Sequence, residues 1–246
     1  MRLVRTVAEL RSLLAGPRAN GRSIGLVPTM GSFHAGHLAL MAASREADDV
    51  VVVSLFVNPA QFGPSEDLEH YPRDEAADAA AAEAAGVDIL FVPTVDEMYP
   101  PGFDTWVDPG ELATVLEGAV RPNHFRGVAT VCTRLFGMAQ PTRAYFGRKD
   151  AQQVAVVKQV VRDLALPLEI VACPTVRDAD GLALSSRNVY LSPDQRAAAL
   201  ALPRALRAAL EAQRDGGDPI VTAKKVLDAE PRLGVDYVAL ADFDGP

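Results

Sequence analysis

Short apolar runs alternate with longer stretches of helical period through the N-terminal part of this chain. The runs Ile24–Val27, Val50–Val57, Ile89–Val92, Ala144–Phe146 and Leu168–Ala172 read as strands. Val50 to Val57 is nearly continuous and rich in β-branched residues, the pattern of a parallel strand buried on both faces. Between the runs, Leu38–Ala47, Glu75–Ala85, Val128–Ala139 and Gln152–Leu164 carry helical period or propensity. Asp78 and Glu83, spaced within the Ala-rich stretch Ala76–Ala85, read as a solvated helix face. Strand and helix in alternation predict an α/β fold with a doubly wound parallel sheet. In such sheets ligands bind beyond the carboxyl ends of the strands.

The alternation ends near Cys173-Pro174-Thr175, which predicts two domains, 1–173 and 174–246. Ser192-Pro193-Asp194-Gln195 is a helix start: Ser as N-cap, Pro at the first helical position, Gln as capping-box partner. An Ala-rich helix follows to about Arg214, and Pro203 should kink or split it. A turn at Asp215–Asp218, a helix over Ile220–Ala229 and a strand over Val235–Ala239 complete a small α+β C-terminal domain.

Composition narrows the function. The chain has 246 residues, of which 49% are hydrophobic and 23% charged, an ordinary globular balance. Its net charge of -8 argues against a nucleic-acid partner, which needs a basic face, but leaves room for one nucleotide in a locally basic site. Cys132 and Cys173 lie in apolar runs without metal-ligand spacing and read as buried thiols of a reducing compartment. The N-terminus lacks a secretory pattern and no apolar run is long enough to span a bilayer, so a cytoplasmic protein without a membrane partner is expected.

Four segments carry candidate chemistry, and each follows or flanks a predicted element. Pro28-Thr29-Met30-Gly31-Ser32-Phe33-His34-Ala35-Gly36-His37-Leu38 reads as strand, tight turn and helix start. Its two histidines share one face of the first helical turn, with Gly36 between them to let a ligand approach. Imidazoles beside a phosphate-friendly helix end suit nucleotidyl transfer, where charge builds on departing pyrophosphate; the plain alternative is two polar residues at a helix cap. Asn58 and Gln61 follow the buried strand, and their neutral amides suit a small hydroxy acid, or form an ordinary Asn-Pro turn. In Gly147-Arg148-Lys149-Asp150-Ala151-Gln152-Gln153, Lys149 suits phosphate or carboxylate, Asp150 suits ribose hydroxyls, Lys149 or a magnesium ion, and Gln153 shares a face with Asp150; the plain alternative is a capped helix with Asp150 in its first turn. Leu184-Ser185-Ser186-Arg187 offers hydroxyls and a guanidinium for phosphate, or is a solvated loop.

Together the segments PTMGSFHAGHL, FVNPAQFGPSEDLEHYPRD, the MYP at Met98–Pro100, RPNHFRGVATV, FGRKDAQQV and PTVRDADGLALSSRNVYL resemble the pantoate–β-alanine ligases, members of the HxGH nucleotidyltransferases. The resemblance runs from about Arg2 to Ala241. It implies a Rossmann-like catalytic domain with a small C-terminal lid, a homodimer, and ATP as substrate with Mg2+ carried on the nucleotide rather than on a protein metal site. It also implies two steps: the pantoate carboxylate takes the adenylyl group from ATP, and the β-alanine amine then displaces AMP.

By position, His37 matches the family's proton-donor histidine and His34 is its partner, with a role expected to be chiefly electrostatic. Met30, Gly31, Ser32, Phe33, His34, Ala35, Gly36 and His37 match the ATP site, as do Gly147, Arg148, Lys149, Asp150, Val176, Leu184, Ser185, Ser186 and Arg187. Lys149 and Arg187 join the histidines as catalytic candidates. Gln61, Gln153 and Asn58 match pantoate contacts, Gln61 lying also near β-alanine; His124 and Arg126 shape the wall.

Three departures stand out. Arg148 and Ala151 replace the family's usual Glu and aromatic, and the chain ends at Asp244-Gly245-Pro246 where relatives run on into a further strand, so the lid is expected to lack a strand. A simple nucleotidylyltransferase and a catalytically impaired binder of ATP or pantoate are the rival readings.

Overall fold

The computed structural model describes residues 1–242; the terminal Asp244-Gly245-Pro246 lies outside the described residues. The chain divides into two compact units, Met1–Pro174 and Thr175–Pro246.

In the first unit, β1 (Arg2–Val4), β2 (Ile24–Thr29), β3 (Val50–Leu55), β4 (Ile89–Phe91), β5 (Arg143–Gly147) and β6 (Glu169–Cys173) form one sheet in the order β1-β4-β3-β2-β5-β6. Every pairing is parallel. The helices are α1 (Val7–Ala19), α2 (Ala35–Ala47), α3 (Glu75–Ala84), the single turns α4 (Val95–Met98) and α5 (Glu117–Val120), α6 (His124–Ala139) and α7 (Ala151–Asp163).

The β-branched run of β3 feeds two cores at once. Val50 and Val52 pack with Leu10, Leu14, Leu135 and Val157 from α1, α6 and α7, whereas Val51 and Val53 pack with Met41 and Ala82 from α2 and α3. Alternate side chains of a strand point to opposite faces, so a continuous apolar run is what a doubly covered sheet demands. Burial of these side chains is the main stabilising term for the unit.

The direction in which successive strands are added reverses about β2. From it the sheet grows through β3 and β4 to one side, and through β5 and β6 to the other. The loops after β2, β3 and β5 therefore emerge side by side at the carboxyl edge, where doubly wound sheets bind ligands. β1 and α1 had no counterpart in the sequence pattern: a three-residue strand gives too little period to read.

In the second unit, α8 (Pro193–Ala199), α9 (Ala201–Arg214) and α10 (Pro219–Asp228) follow a short antiparallel contact between Arg177 and Ala183. The expected capping box at Ser192 and Gln195 is present. The break between α8 and α9 falls where Pro203 cannot donate to the carbonyl of Ala199. Val235–Ala239 is not a strand, which corrects the α+β expectation for this unit. Its alternating residues Val235 and Tyr237 stay exposed, and only Val238, with Leu233 before it, rests on Ala201, Ala205, Ala223 and Leu227 of α9 and α10. A strand needs a neighbour to accept its ladder, and none lies beside it among the described residues.

Candidate active site

The loop after β2 is tied down donor by donor. The Asp78 carboxylate on α3 is buried and accepts from the backbone N–H of Ser32 at 2.8 Å and of Phe33 at 2.7 Å. This corrects the solvated reading of Asp78. Gly31 and Ser32 both adopt left-handed backbone, φ 88° and 53°. His34 then caps α2: its Nδ1 accepts from the N–H of Gly36 at 3.1 Å, and Nδ1 of His37 accepts from the N–H of His34 at 3.3 Å. The two rings lie 4.1 Å apart between centroids. A Cβ on Gly36 would meet Cε1 of the His34 ring at 2.8 Å, so the glycine makes room for this ring rather than for a ligand.

Two consequences follow for charge. With each Nδ1 accepting, the ring proton of each neutral histidine resides on Nε2. Burial, and then the neighbouring His34, push the His37 imidazole down to about 3; burial and then Lys149 lower His34. The pair is therefore two neutral N–H donors, and the backbone N–H groups of Ser32, Phe33, His34 and Gly36 are already engaged by side chains.

The loop after β3 is held from α6. Asn58 is almost fully buried. Its Nδ2 donates to Oε1 of Gln61 at 3.0 Å and to the Gly127 carbonyl at 3.3 Å, and its Oδ1 accepts from Ala60 N–H and from the Tyr99 hydroxyl. A Cβ on Gly127 would collide with the Ala60 carbonyl oxygen, so only glycine lets α6 approach this closely. His124 is buried, and its Nδ1 donates to the Gln61 carbonyl at 2.9 Å. Arg121 meets its other nitrogen at 3.2 Å and is itself clamped by Glu66 at 2.9 and 2.6 Å. Gln61 reaches back to the sulfur of Met30 at 3.3 Å, joining this loop to the histidine loop. Arg126 is exposed and stacks over Trp106 at 4.8 Å.

After β5 the chain is far less constrained. Arg148, Lys149 and Asp150 are exposed, and Lys149 pairs with Asp150 at 3.0 Å. Lys149 lies near enough to both histidines to lower their basicity, and Asp150 acts oppositely on His37. Gln153 is half-buried in the first turn of α7. Its neighbour Gln152, which sequence reasoning passed over, is buried and ties the wall segment down through Leu112 O, Val115 O and Glu117 N. The adjacent Gln-Gln pair was the available signal, since one must face inward.

Val176, Leu184, Ser185, Ser186 and Arg187 belong to the second unit. There Ser185 caps a short turn over Ser186–Tyr190, its oxygen accepting from Arg187 N–H at 3.3 Å. Arg196 of α8 bridges Asp178 and Asp180 at 2.8 and 2.7 Å, and so braces the hairpin leading into that turn. Among the described residues, no group of three or more His, Cys, Asp or Glu is gathered for a metal ion, and no helix is long and apolar enough to cross a membrane.

The family model for pantoate–β-alanine ligase matches residues 2–245. The chain belongs to the pantoate–β-alanine ligase family. It is 54% identical to the pantothenate synthetase of Roseiflexus sp. (strain RS-1), over 99% of this chain and 88% of that one. The crystal structure of pantothenate synthetase from Thermus thermophilus superposes with a TM-score of 0.94 at 53% identity, covering 99% of this chain and 88% of that one. A pantoate–β-alanine ligase from Francisella tularensis, solved with β-γ ATP and β-alanine, superposes at 0.79 with 38% identity, over 84% and 79% of the two chains. This pantoate–β-alanine ligase thus has the sheet and the clustered loops of its relatives.

Proposed function

We propose that this ligase makes pantothenate in two steps, with His34 and His37 acting as neutral hydrogen-bond donors during the first. A pantoate carboxylate oxygen attacks the α-phosphorus of ATP; the bond to the β-phosphate oxygen breaks and pyrophosphate leaves. The β-alanine nitrogen then attacks the activated carbonyl carbon, the carbon–oxygen bond to AMP breaks, and the amine sheds a proton. Neither step needs a covalent bond to the protein, so catalysis rests on position and charge.

The observation that carries this reading is the engagement of both Nδ1 atoms by backbone N–H groups. It leaves each Nε2–H to donate to phosphate oxygens as charge moves onto pyrophosphate. Lys149 supplies the positive charge from the facing loop, and Arg187 with Ser185 and Ser186 handles the transferring group. Magnesium enters on the nucleotide. Gln61 and Gln153 bind pantoate, Gln61 also meeting β-alanine; Asn58, whose polar atoms are all engaged, acts by orienting Gln61. The remaining first-loop residues line the ATP site. The protein works in the cytoplasm as a homodimer, a state that sedimentation would test.

Pantoate-dependent exchange of labelled pyrophosphate into ATP, without β-alanine, tests the first step; adding β-alanine tests the second through AMP and pantothenate. Exchange that needs no pantoate, or AMP release that needs no amine, contradicts the scheme.

A further inference from the structure

We propose that Asp78 is a positioning residue for the adenylation step: it sets the backbone from which both histidines project. The inference rests on the reading that His34 and His37 donate to phosphate. A carboxyl group buried this deeply must be hydrogen-bonded to persist. Asp78 spends both oxygens on consecutive N–H groups, Ser32 and Phe33, 46 and 45 residues away in sequence. It is not needed to cap its own helix, because Asp74 does that through Ala77 N–H.

The residues it grips are the conformationally demanding ones. Ser32 carries a side chain at φ 53°, a backbone state that lasts only where surroundings enforce it. Gly31 sits at φ 88°, and a Cβ there would meet Oδ2 of Asp78 at 2.8 Å. Two residues after Ser32, His34 caps α2, so any slackening at Ser32 and Phe33 swings both rings. Asp78 also takes up two of this loop's backbone donors, so the donors the loop offers to phosphate are the ring Nε2–H groups.

The test compares D78A, D78N, G31A, the double variant G31A/D78A and H37A with the unsubstituted enzyme, by pantoate-dependent pyrophosphate exchange and thermal unfolding. D78A is expected to lose about a hundredfold in exchange turnover, the cost of misplacing reacting groups by about an ångström. The KM for pantoate should stay within about threefold, because that loop is held from α6. D78N keeps one acceptor and should recover part of the loss. G31A should resemble D78A, and the double variant should fall well short of the product of the two losses, since both release one clamp. D78N and G31A keep the proposal testable if D78A does not fold.

A folded D78A that exchanges at the unsubstituted rate overturns the proposal. So does a pantoate KM that rises in step with the lost turnover, or a defect abolished by raising magnesium, which would place the carboxylate on the metal. An H37A variant with intact exchange overturns the histidine reading beneath it, whatever Asp78 does; inactive H37A with intact D78A overturns the Asp78 proposal alone.

Discussion

The loops after β2 and β5 lie side by side at the carboxyl edge of the sheet, yet they are built on opposite principles. In the first, the backbone N–H groups of Ser32, Phe33, His34 and Gly36 are consumed by Asp78, His37 and His34, and the two rings are half-buried. In the second, three charged side chains stand in solvent and Lys149 meets Asp150 across one contact. The difference separates two tasks. Neutral donors are weak and must be aimed in advance, so they sit on rigid backbone. A lysine is a compact charge on a flexible stem that can follow the phosphates, so it needs little support.

Breaking the rigid side should cost most. H37A is expected to lower pantoate-dependent exchange by about 10²–10³-fold, the range for deleting one preorganised donor. K149A should lose less, about tenfold to hundredfold, with K149R recovering part; thermal unfolding should be unchanged within about 0.5 kcal/mol, because an exposed pair contributes little to stability.

Next comes the second rigid loop. G127A must push α6 off the Ala60 carbonyl and should destabilise the protein by about 1–3 kcal/mol. The pantoate KM should rise more than the ATP KM, as Gln61 moves; equal changes would remove the link between Gly127 and Gln61.

The acid limb sharpens the comparison without touching activity. His37 has a folded value of about 3 against an ordinary 6.5, and His34 and His124 shift the same way through burial. Below pH 6.5 the unfolded chain binds a proton that folded His37 refuses, so stability falls with falling pH toward pH 3. Across that window His37 contributes up to about 1.4 kcal/mol per pH unit. Denaturant midpoints for H37Q should fall less steeply than those of the parent; parallel curves would show that His37 is not held neutral. The smallest effect belongs to R148E, which reverses a charge at an exposed position; exchange should change by less than about threefold.

The same contrast explains what the sequence revealed. The β3 run, the helix starts and the motif loops were legible because a doubly covered sheet and a capped turn each impose a local pattern. The histidine pair was legible as chemistry, but its tautomers were not, since they depend on which backbone groups the rings meet. Asp78 looked like a solvated residue because its partners are 45 and 46 positions away. His124, Arg121 and Glu66 form a chain between two segments 55 or more residues apart, which no local period encodes. Val235–Ala239 has the alternation of a strand, but a ladder also requires a neighbour.

The most direct measurement is nitrogen NMR of the imidazole rings in the unliganded protein at about pH 6, with His34 and His37 assigned by substitution. The account predicts a neutral His37 ring with Nε2 protonated and Nδ1 bare, and a neutral His34 fraction that carries its proton on Nε2 as well. A His37 ring that is doubly protonated there, or that carries its proton on Nδ1, would contradict it.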